Sequence, residues 1–249
     1  MVFKNIEFTN FQKKRKNLKV KKIFLKLLKD YASGDNQVLL SLSKKYKYKF
    51  NLKKIQKYKK LKNFRIFGMG GSILGAEAIY HFLKKRIKKK FNFIDDINLS
   101  DKARLKGKKL NIIISKSGNT LETIANLNSK KIKKDCLFIT ENKKSYLRTL
   151  ALKLKSEIID HNNFIGGRYS VLSEVGMLPA ELAGLNPKKF KQLNFLINNK
   201  NFVNNLMNNV ASTINLVKKK KYASIILNYD EKSENLFKWY QQLISESLG

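Results

Sequence analysis

Short apolar runs alternate with helical patterns of apolar positions through the middle of the chain. The runs at 64–67, 91–94, 110–114, 136–140 and 156–160 are mostly rich in β-branched and aromatic residues and predict buried strands. Between them, apolar positions recur at helical spacing after residue 72, after residue 120 and over 146–154. Because strands alternate with helices over about 100 residues, the pattern predicts an α/β fold built on a doubly wound parallel sheet.

The two flanks of this region predict mostly helices. Residues 1–60 are lysine-rich, with amphipathic patterns around 23–31 and 38–42, and predict a helical N-terminal arm without chemistry of its own. Beyond residue 160, helical patterns cover 171–185, 190–216 and 235–248, and one strand is predicted at 222–227. We expect three parts: the arm at 1–60, a first domain at 61–186, and at 187–249 a helical connection with the first strand and helix of a second domain. Because an edge strand needs partners, we expect this second domain to be truncated.

The charge of the chain is extreme. Lysine and arginine number 53 against 18 aspartate and glutamate residues, which gives a formal net charge of +35. Only six of the basic residues are arginines, and the lysines are spread along the whole sequence. Base readout and bidentate phosphate binding favour arginine. The charge therefore predicts nonspecific attraction of polyanions and no specific nucleic-acid partner.

Cysteine content and hydropathy narrow the class of protein further. Cys136 is the only cysteine, which excludes an intramolecular disulfide and a cysteine-based zinc cluster. The first 16 residues lack the continuous apolar core of a signal peptide. The most apolar window, 66–83, is interrupted by four glycines, Glu77 and His81, which argues against a membrane span. We expect a cytoplasmic protein without membrane contact.

A polar turn separates the run at 110–114 from the helical pattern that follows it. Its residues are Ser115, Lys116, Ser117, Gly118, Asn119 and Thr120. A strand, a glycine-containing turn and a helix direct first-turn amides and hydroxyl groups at one point before the helix, which suits a phosphate. The lysine or the amides would supply positive potential there. Taken alone, the pattern also fits an ordinary βα turn with a capping hydroxyl.

A second glycine-containing turn, 68–75, follows the first predicted strand. Its GxGGSxxG spacing is similar to a dinucleotide-binding fingerprint, but no acidic residue stands in a clear second strand to bind a ribose; Asp95 and Asp96 are the nearest. Ser72 instead fits a helix N-cap whose hydroxyl points to the same sheet edge as residues 115–120. Ligands of such sheets bind beyond the carboxyl ends of the strands, so the two turns together favour a phosphate site.

A few further polar residues are candidates for chemistry. Arg168 follows two glycines that let the backbone aim its guanidinium at an anion, although a surface arginine fits as well. Gln242 and Glu246 lie four residues apart on one face of the last predicted helix, where an isolated glutamate is ordinarily a solvated residue. His81, within a predicted helix, and His161, in a loop, are assigned no role.

Four motifs in order together resemble the glucose-6-phosphate isomerase family. They are GMGGSILG at 68–75, ISKSGNTLET at 114–123, GGRYSVLS at 166–173 and QLISESLG at 242–249. The resemblance covers essentially everything from residue 64 onward. It implies the two-domain sugar-isomerase (SIS) fold, in which each domain is a three-layer α/β/α sandwich.

The resemblance also implies a reaction and a role for each candidate residue. The reaction interconverts glucose 6-phosphate and fructose 6-phosphate through a cis-enediol(ate), a step of glycolysis and gluconeogenesis. Gly71, Ser72 and the 115–120 turn would hold the sugar phosphate, Arg168 would stabilise the charged intermediate, Glu246 would carry the proton between C1 and C2, and Gln242 would bind substrate. Such a reaction needs a base and an electrophile, and we expect no metal and no redox cofactor.

The resemblance stops at Gly249. In the family a lysine follows the matching glycine, and the rest of the second domain supplies a histidine across the dimer interface and a lysine linked to ring opening. Neither His81 nor His161 matches that histidine. We therefore expect a fragment of a homodimeric enzyme that binds substrate weakly and does not turn it over. The alternatives are a non-catalytic SIS module that senses a phosphosugar, which leaves Arg168 and Glu246 unexplained, and a basic nucleic-acid-binding protein, which explains only the charge.

Overall fold

The computed structural model describes residues 18–96, 105–192 and 194–248. The helices in these ranges are α1 (Leu18–Ser33), α2 (Gln37–Ser41), α3 (Leu52–Lys59), α4 (Leu74–Phe82), α5 (Leu121–Ser129), α6 (Tyr146–Lys153), α7 (Glu174–Leu182), α8 (Asn194–Ile197), α9 (Lys200–Lys218) and α10 (Glu234–Leu248). The strands are β1 (Asn63–Phe67), β2 (Lys90–Ile94), β3 (Lys109–Ile114), β4 (Cys136–Thr140) and β5 (Glu157–Asp160). Short 3₁₀ turns lie at Gly70–Ser72, Lys84–Arg86, Gly167–Leu172, Pro187–Phe190 and Glu231–Ser233.

Two of the sequence-based expectations fall outside these ranges. The predicted lack of a signal peptide concerns residues 1–16, and the last motif position, Gly249, is also outside the described residues. Within the described ranges, no helix combines the length and the apolar character needed to cross a bilayer.

The five strands form one parallel sheet in the order β2-β1-β3-β4-β5. Ile112 and Ile114 belong to the hydrophobic cluster on one face of β3, and Ile113 belongs to the cluster on the other face. Because helices cover both faces, the central strands are continuous apolar runs instead of alternating ones. The predicted α/β parallel sheet is confirmed, and each strand begins and ends within one residue of its predicted bounds.

The path of the chain through the sheet marks a place for a ligand. From β1 the chain passes outward to β2 and then returns to β3 on the other side of β1. The order of the strands reverses between β1 and β3, and in open α/β sheets this point lies under the ligand. We call the edge at which all five strands end the carboxyl edge, and the opposite edge the amino edge. Both predicted glycine-containing turns begin at the carboxyl edge, after β1 and β3.

The chain divides into two compact units. One contains the described part of Met1–Lys44 together with Gln192–Leu227, and in it α1 packs against α9. The other contains Lys45–Lys191 and the residues from Asn228 onward, with the whole sheet. Helix α3 belongs to this second unit because its buried Ile55 joins the core cluster on one face of the sheet. The domain boundaries expected from the sequence stay a prediction.

Residues 222–227 form neither a helix nor the strand predicted for them. Tyr222, Ile225 and Leu227 expose 71%, 85% and 73% of their surface. No described strand pairs with this segment. The prediction of a strand here is wrong because β-branched composition favours extended backbone but does not supply the neighbouring strand whose hydrogen bonds define a strand.

Candidate active site

Two glycine-containing loops cross at the carboxyl edge. One follows β1 and contains Gly71, and the other begins the 3₁₀ turn at Gly167–Leu172. A Cβ atom on Gly71 would lie 2.1 Å from the carbonyl carbon of Gly167 and 2.6 Å from the backbone nitrogen of Arg168. Only glycine fits at position 71, because no real Cβ atom approaches other atoms so closely. The crossing therefore fixes the backbone of Arg168 against the loop after β1.

Ser170 reinforces this crossing. Its side chain is fully buried, and its hydroxyl oxygen lies 3.1 Å from the carbonyl oxygen of Gly71 and 2.6 Å from that of Gly167. The hydroxyl can donate to either carbonyl, so it links the two loops where water has no access.

Helix α10 brings Gln242 and Glu246 to Arg168. The Arg168 guanidinium donates from Nη1 to Glu246 Oε2 at 3.2 Å, and Gln242 Nε2 donates to Glu246 Oε1 at 2.8 Å. Both oxygens of the carboxylate are thus oriented by a donor. Gln242 Oε1 is buried and makes no hydrogen bond within the described residues, which leaves an acceptor beside the carboxylate. The structure brings together the three residues that the resemblance named for proton transfer, for stabilising the charged intermediate and for binding substrate.

Three residues that sequence reasoning missed support this group. The Trp239 indole N–H donates to the backbone carbonyl of Arg168 at 3.0 Å. The Ser247 hydroxyl accepts from Arg168 Nε at 3.1 Å and lies 3.0 Å from the Tyr169 hydroxyl. The signal for one of them was present in the sequence, because the single tryptophan lies three and seven residues before Gln242 and Glu246 and so shares their helix face.

Electrostatics favour a permanently charged guanidinium here. The hydrogen bond with Tyr169 and then the one with Glu246 raise the pKa of Arg168 above its ordinary value. In turn, hydrogen bonds with Ser247 and Arg168 lower the pKa of the Tyr169 hydroxyl. The guanidinium also lies 4.8 Å from the centre of the Tyr169 ring, within cation–π distance.

The turn after β3 is folded tightly around the buried Ser115. Its hydroxyl lies 2.7 Å from the Thr120 hydroxyl and accepts from the backbone N–H of Gly118 at 3.1 Å. Gly118 has φ +70°, and a Cβ there would lie 2.2 Å from Ser145 Oγ, so both the backbone angle and the space require glycine. The Asn119 side chain accepts from the backbone N–H of Tyr146, which ties the turn to the start of α6.

Thr120 and Ser117 lie at the start of α5. Thr120 occupies the N-cap position of α5, but its side chain makes no capping hydrogen bond to the first turn. Ser117 Oγ accepts from the backbone N–H of Asn119 at 3.2 Å. Thr120 therefore does not cap the first-turn amides of α5 in the described structure, so the interpretation of this turn as an ordinary capped helix start loses support.

Lys116 lies away from the centre of this turn. Its ammonium donates to the backbone carbonyl of Asn163 at 2.8 Å and lies 3.6 Å from Glu141 Oε1. Burial opposes the ionisation of Glu141, but the hydrogen bond and charge of Lys143, followed by those of Lys116, outweigh burial and hold its pKa below the ordinary value. Lys116 is therefore held by an ion pair, and the hydroxyls and amides are the turn's nearest groups for a ligand.

The loop after β1 differs from its predicted geometry at one residue. Ser72 is half-buried within the 3₁₀ turn at Gly70–Ser72, and Ile73 takes the position before α4. The predicted N-cap role of Ser72 is wrong, because the 3₁₀ turn moves the start of the helix one residue onward. The loop still adjoins the turn after β3, since a Cβ on Gly68 would lie 3.3 Å from the carbonyl oxygen of Ile114.

The two histidines lie in different surroundings. His161 is buried, with Nδ1 2.9 Å from the carbonyl oxygen of Asn162, and burial lowers its pKa. His81 Nε2 lies 3.8 Å from Glu77 Oε1, and partial burial lowers the pKa of His81. Among the described residues, no three His, Cys, Asp or Glu side chains are grouped so that they could bind a metal ion.

Comparisons with known proteins agree with this arrangement. The chain is 34% identical over 222 residues to a glucose-6-phosphate isomerase of Methanocaldococcus jannaschii, an alignment that covers 81% of this chain and 54% of the relative. It is 36% identical over 210 residues to a glucose-6-phosphate isomerase of Mycoplasmopsis synoviae, covering 74% of this chain and 49% of the relative. The chain therefore spans about half the length of the curated relatives it matches.

A solved structure shares the fold. A hypothetical protein of Thermus thermophilus superimposes with a TM-score of 0.69 at 21% identity, over 95% of this chain and 61% of that protein. The model of the phosphoglucose isomerase family matches residues 50–249, which include both glycine-containing turns, Arg168 and helix α10. On this match, the chain belongs to the phosphoglucose isomerase family.

Proposed function

We propose that the carboxyl edge of this sheet is the active site of an aldose–ketose isomerase that interconverts glucose 6-phosphate and fructose 6-phosphate. The observation that carries the proposal is the contact of 3.2 Å between Arg168 Nη1 and Glu246 Oε2, a charged pair at the edge to which both glycine-containing turns lead. The names of the curated relatives support the choice of substrate. The reaction needs a base beside an α-carbon proton and a positive group beside the developing oxyanion.

Glu246 is the proposed base. Its carboxylate would remove the proton from C2 of the open-chain aldose and return it to C1, while a second proton passes from the oxygen on C2 to the oxygen on C1. No atom is gained or lost, so the carbonyl moves from C1 to C2. The hydrogen bond from Gln242 to Oε1 supports this role because it orients the carboxylate and leaves Oε2 for the substrate once Arg168 turns to the oxyanion.

Arg168 is the proposed electrophile. A guanidinium is charged near neutral pH, and the hydrogen bonds with Tyr169 and Glu246 raise the pKa of Arg168 further. The Arg168 side chain is held by its hydrogen bond to Ser247, and its backbone is fixed by the close approach of Gly71 to Gly167. The guanidinium therefore needs little reorganisation when negative charge develops on the enediolate. Gln242 is the proposed substrate-binding glutamine, and its hydrogen bond to Glu246 Oε1 supports a place for it beside the reacting carbons.

The phosphate is proposed to bind between the turn after β3 and the loop after β1. Ser115, Ser117 and Thr120 would contribute hydroxyl groups, the first-turn amides of α5 would point at the ligand, and Gly71 and Ser72 would close the other side. Lys116 would act through its charge, since its ammonium is held by Asn163 and Glu141. The phosphate would then serve as a remote handle whose binding energy positions C1 and C2.

The proposal extends to the domain organisation, the oligomeric state and the cellular compartment of the protein. We infer a first SIS domain at 61–186, preceded by the helical arm at 1–60 and followed at 187–249 by the connection and the start of a second domain. The full-length protein would act as a cytoplasmic homodimer, without metal or redox cofactor and without a specific nucleic-acid partner. The acid–base chemistry proposed for Glu246 and Arg168 needs no metal or redox cofactor, and the scarcity of arginine supports the lack of a specific nucleic-acid partner.

An isomerase assay tests the proposal. Fructose 6-phosphate is measured with the full-length gene product carrying Glu246→Gln, Arg168→Ala or, as a control on the same helix, Glu234→Gln. The first two changes should lower kcat by about 10²–10⁴-fold and the control should leave it within about twofold. Activity that survives Glu246→Gln would mean that another group is the base. Binding of glucose 6-phosphate without any turnover by the full-length product would favour the non-catalytic phosphosugar sensor.

A further inference from the structure

One proton of the proposed isomerisation still needs a carrier. Glu246 moves the proton between C2 and C1, but a second proton must pass from the oxygen on C2 to the oxygen on C1 before the ketone forms. Arg168 does not carry it, because a guanidinium keeps its protons near neutral pH. Glu246 is occupied with the carbon proton during this step. The carrier is therefore another side chain beside these two residues, or a water molecule.

Two hydroxyl groups lie next to Arg168. Tyr169 Oη and Ser247 Oγ are 3.0 Å apart, and either can donate to the other. Ser247 Oγ also accepts from Arg168 Nε at 3.1 Å, and Nη1 of the same guanidinium lies 3.2 Å from Glu246 Oε2. One guanidinium therefore links the pair of hydroxyls to the proposed base. All four side chains are half-buried or exposed, so a ligand has access to them.

The spacing of these two hydroxyls suits the oxygens of a cis-enediol. Such oxygens stand on adjacent carbons, on the same side of a double bond, so they lie about one hydrogen-bond length apart. The separation of Tyr169 Oη from Ser247 Oγ is similar, so each hydroxyl can meet one enediol oxygen. A hydroxyl has both a proton to donate and lone pairs to accept one. The two side chains can therefore connect the two substrate oxygens by a continuous path for a proton.

We propose that Tyr169 and Ser247 carry the proton from the oxygen on C2 to the oxygen on C1, a proposal that rests on the isomerase function above. In the direction of the ketose, Tyr169 gives its phenolic proton to the oxygen on C1. Ser247 gives its own proton to the Tyr169 oxygen and receives the proton of the C2 hydroxyl. The negative charge of the enediolate passes from the oxygen on C1 to the oxygen on C2, and both side chains end as they began. Glu246 then returns the carbon proton to C1, which completes the ketose.

The surroundings of Tyr169 favour it as the group that donates to the oxygen on C1. The hydrogen bonds with Ser247 and then with Arg168 lower the pKa of its phenol. The Arg168 guanidinium lies 4.8 Å from the centre of the Tyr169 ring, so a positive charge stands beside the phenol as its proton leaves. A serine hydroxyl is a weaker acid than a phenol, so the part of Ser247 is to pass on a proton that it receives.

Tyr169→Phe in the full-length gene product tests the proposal. In D₂O, deuterium enters C2 of glucose 6-phosphate when Glu246 removes and returns the carbon proton, and this exchange needs no proton transfer between the oxygens. The initial rates of deuterium entry and of fructose 6-phosphate formation are measured side by side. In Tyr169→Phe the formation of fructose 6-phosphate should fall about tenfold or more, and deuterium entry less than about threefold. Tyr229→Phe, a highly exposed residue of the same unit, should change neither rate.

The second member of the relay is tested by the same two rates. Ser247→Ala should lower the formation of fructose 6-phosphate more than deuterium entry, and Ser247→Thr, which keeps a hydroxyl, should restore most of the loss. Ser245→Ala, on the same helix, is the control, because the Ser245 hydroxyl donates to the backbone carbonyl of Gln242. Thermal melting checks that all variants fold.

The two rates also separate a relay from a supporting role. Equal falls of both rates in Tyr169→Phe would mean that Tyr169 only positions Arg168, and this result would overturn the proposal. Unchanged formation of fructose 6-phosphate would overturn it too, because a water molecule would then carry the proton. Failure of the relay is distinguishable from failure of the isomerase function, since Glu246→Gln should stop deuterium entry whatever group carries the oxygen proton.

Discussion

Gly71 meets Gly167 so closely that a single added methyl group would lie 2.1 Å from the carbonyl carbon of the latter. This contact places Arg168, the residue after Gly167, against the loop that follows β1. The site therefore depends on two glycines that carry no functional group. Their contribution is to let two backbones approach each other.

Gly71→Ala should damage both stability and activity. The Cβ atom meets backbone atoms, which cannot move without shifting the Arg168 loop, so the free energy of unfolding should fall by about 1–3 kcal/mol and kcat with it. Gly166→Ala is the matched control, because its Cβ would have no contact closer than 3.8 Å, to the Tyr169 ring. Chemical denaturation and the isomerase assay measure the two effects. A Gly71→Ala protein as stable as the control would contradict the close contact.

Trp239→Phe should weaken the site while preserving most of the packing. The change removes the N–H that donates to the Arg168 carbonyl but keeps an aromatic ring. We expect kcat to fall about tenfold with little change in KM, because the guanidinium is less well placed in the transition state. Tyr240→Phe, the adjacent residue on α10, serves as the control and should be neutral. An unchanged kcat in Trp239→Phe would show that Arg168 does not need this bond.

Ser115→Ala combined with Thr120→Ala should weaken phosphate binding more than it weakens the fold. Hydrogen bonds to a charged group are worth about 1.5–3 kcal/mol each, so the Kd for a hexose phosphate should rise at least about tenfold. Isothermal titration with glucose 6-phosphate gives the affinity, and thermal melting gives the stability. Ser129→Ala, at the far end of α5, is the control. A variant that loses stability but keeps its affinity would assign these hydroxyls to the turn alone.

Lys191 should make stability depend on alkaline pH. Its ammonium is buried between the rings of Tyr46 and Tyr48, at 4.3 and 4.4 Å from their centres, and burial lowers its pKa from 10.5 to about 8. Between these values the unfolded chain binds a proton that the folded chain has released. The contribution of Lys191 to the free energy of unfolding should therefore rise as pH increases from about 8 to 10.5.

Substitution of this lysine isolates the effect. Lys191→Met removes the titrating group and should abolish its part of the rise, while the exposed Lys188→Met should leave the profile unchanged. Urea denaturation of the three proteins at intervals of pH gives the comparison. Parallel profiles for Lys191→Met and the unmodified protein would show that the ammonium is not desolvated in the folded state.

Much of the fold could be predicted from the order of apolar residues, because a sheet covered on both faces leaves continuous runs in the sequence. The strand predicted at 222–227 shows the limit of this approach, since a strand also needs a partner that composition does not specify. The turn after β3 was predictable for the same reason as the strands: the polar residues from Ser115 to Thr120 interrupt an apolar run. Ser72 was misplaced because the 3₁₀ turn that shifts it has no clear sequence signal.

The grouping of Arg168 with Glu246 could not be predicted from local pattern. The two residues are 78 positions apart, and each looks like an ordinary surface residue in its own segment. Their pairing in the sequence analysis came only from the resemblance of the motifs to a family. Tyr169, Trp239 and Ser247 were missed because their hydrogen bonds join segments that only the fold brings together. The ion pair of Lys116 with Glu141 was hidden for the same reason.

Exchange of the C2 proton of glucose 6-phosphate with solvent tests the role of Glu246 most directly. The full-length gene product is incubated with the sugar phosphate in D₂O, and the C2 proton signal is followed by NMR. A base that removes this proton and exchanges it with solvent should cause deuterium to appear at C2 with the unmodified protein. With Glu246→Gln the exchange should fall by about 10²-fold or more, while Glu234→Gln should not slow it. Exchange that continues at the original rate in Glu246→Gln would contradict the account.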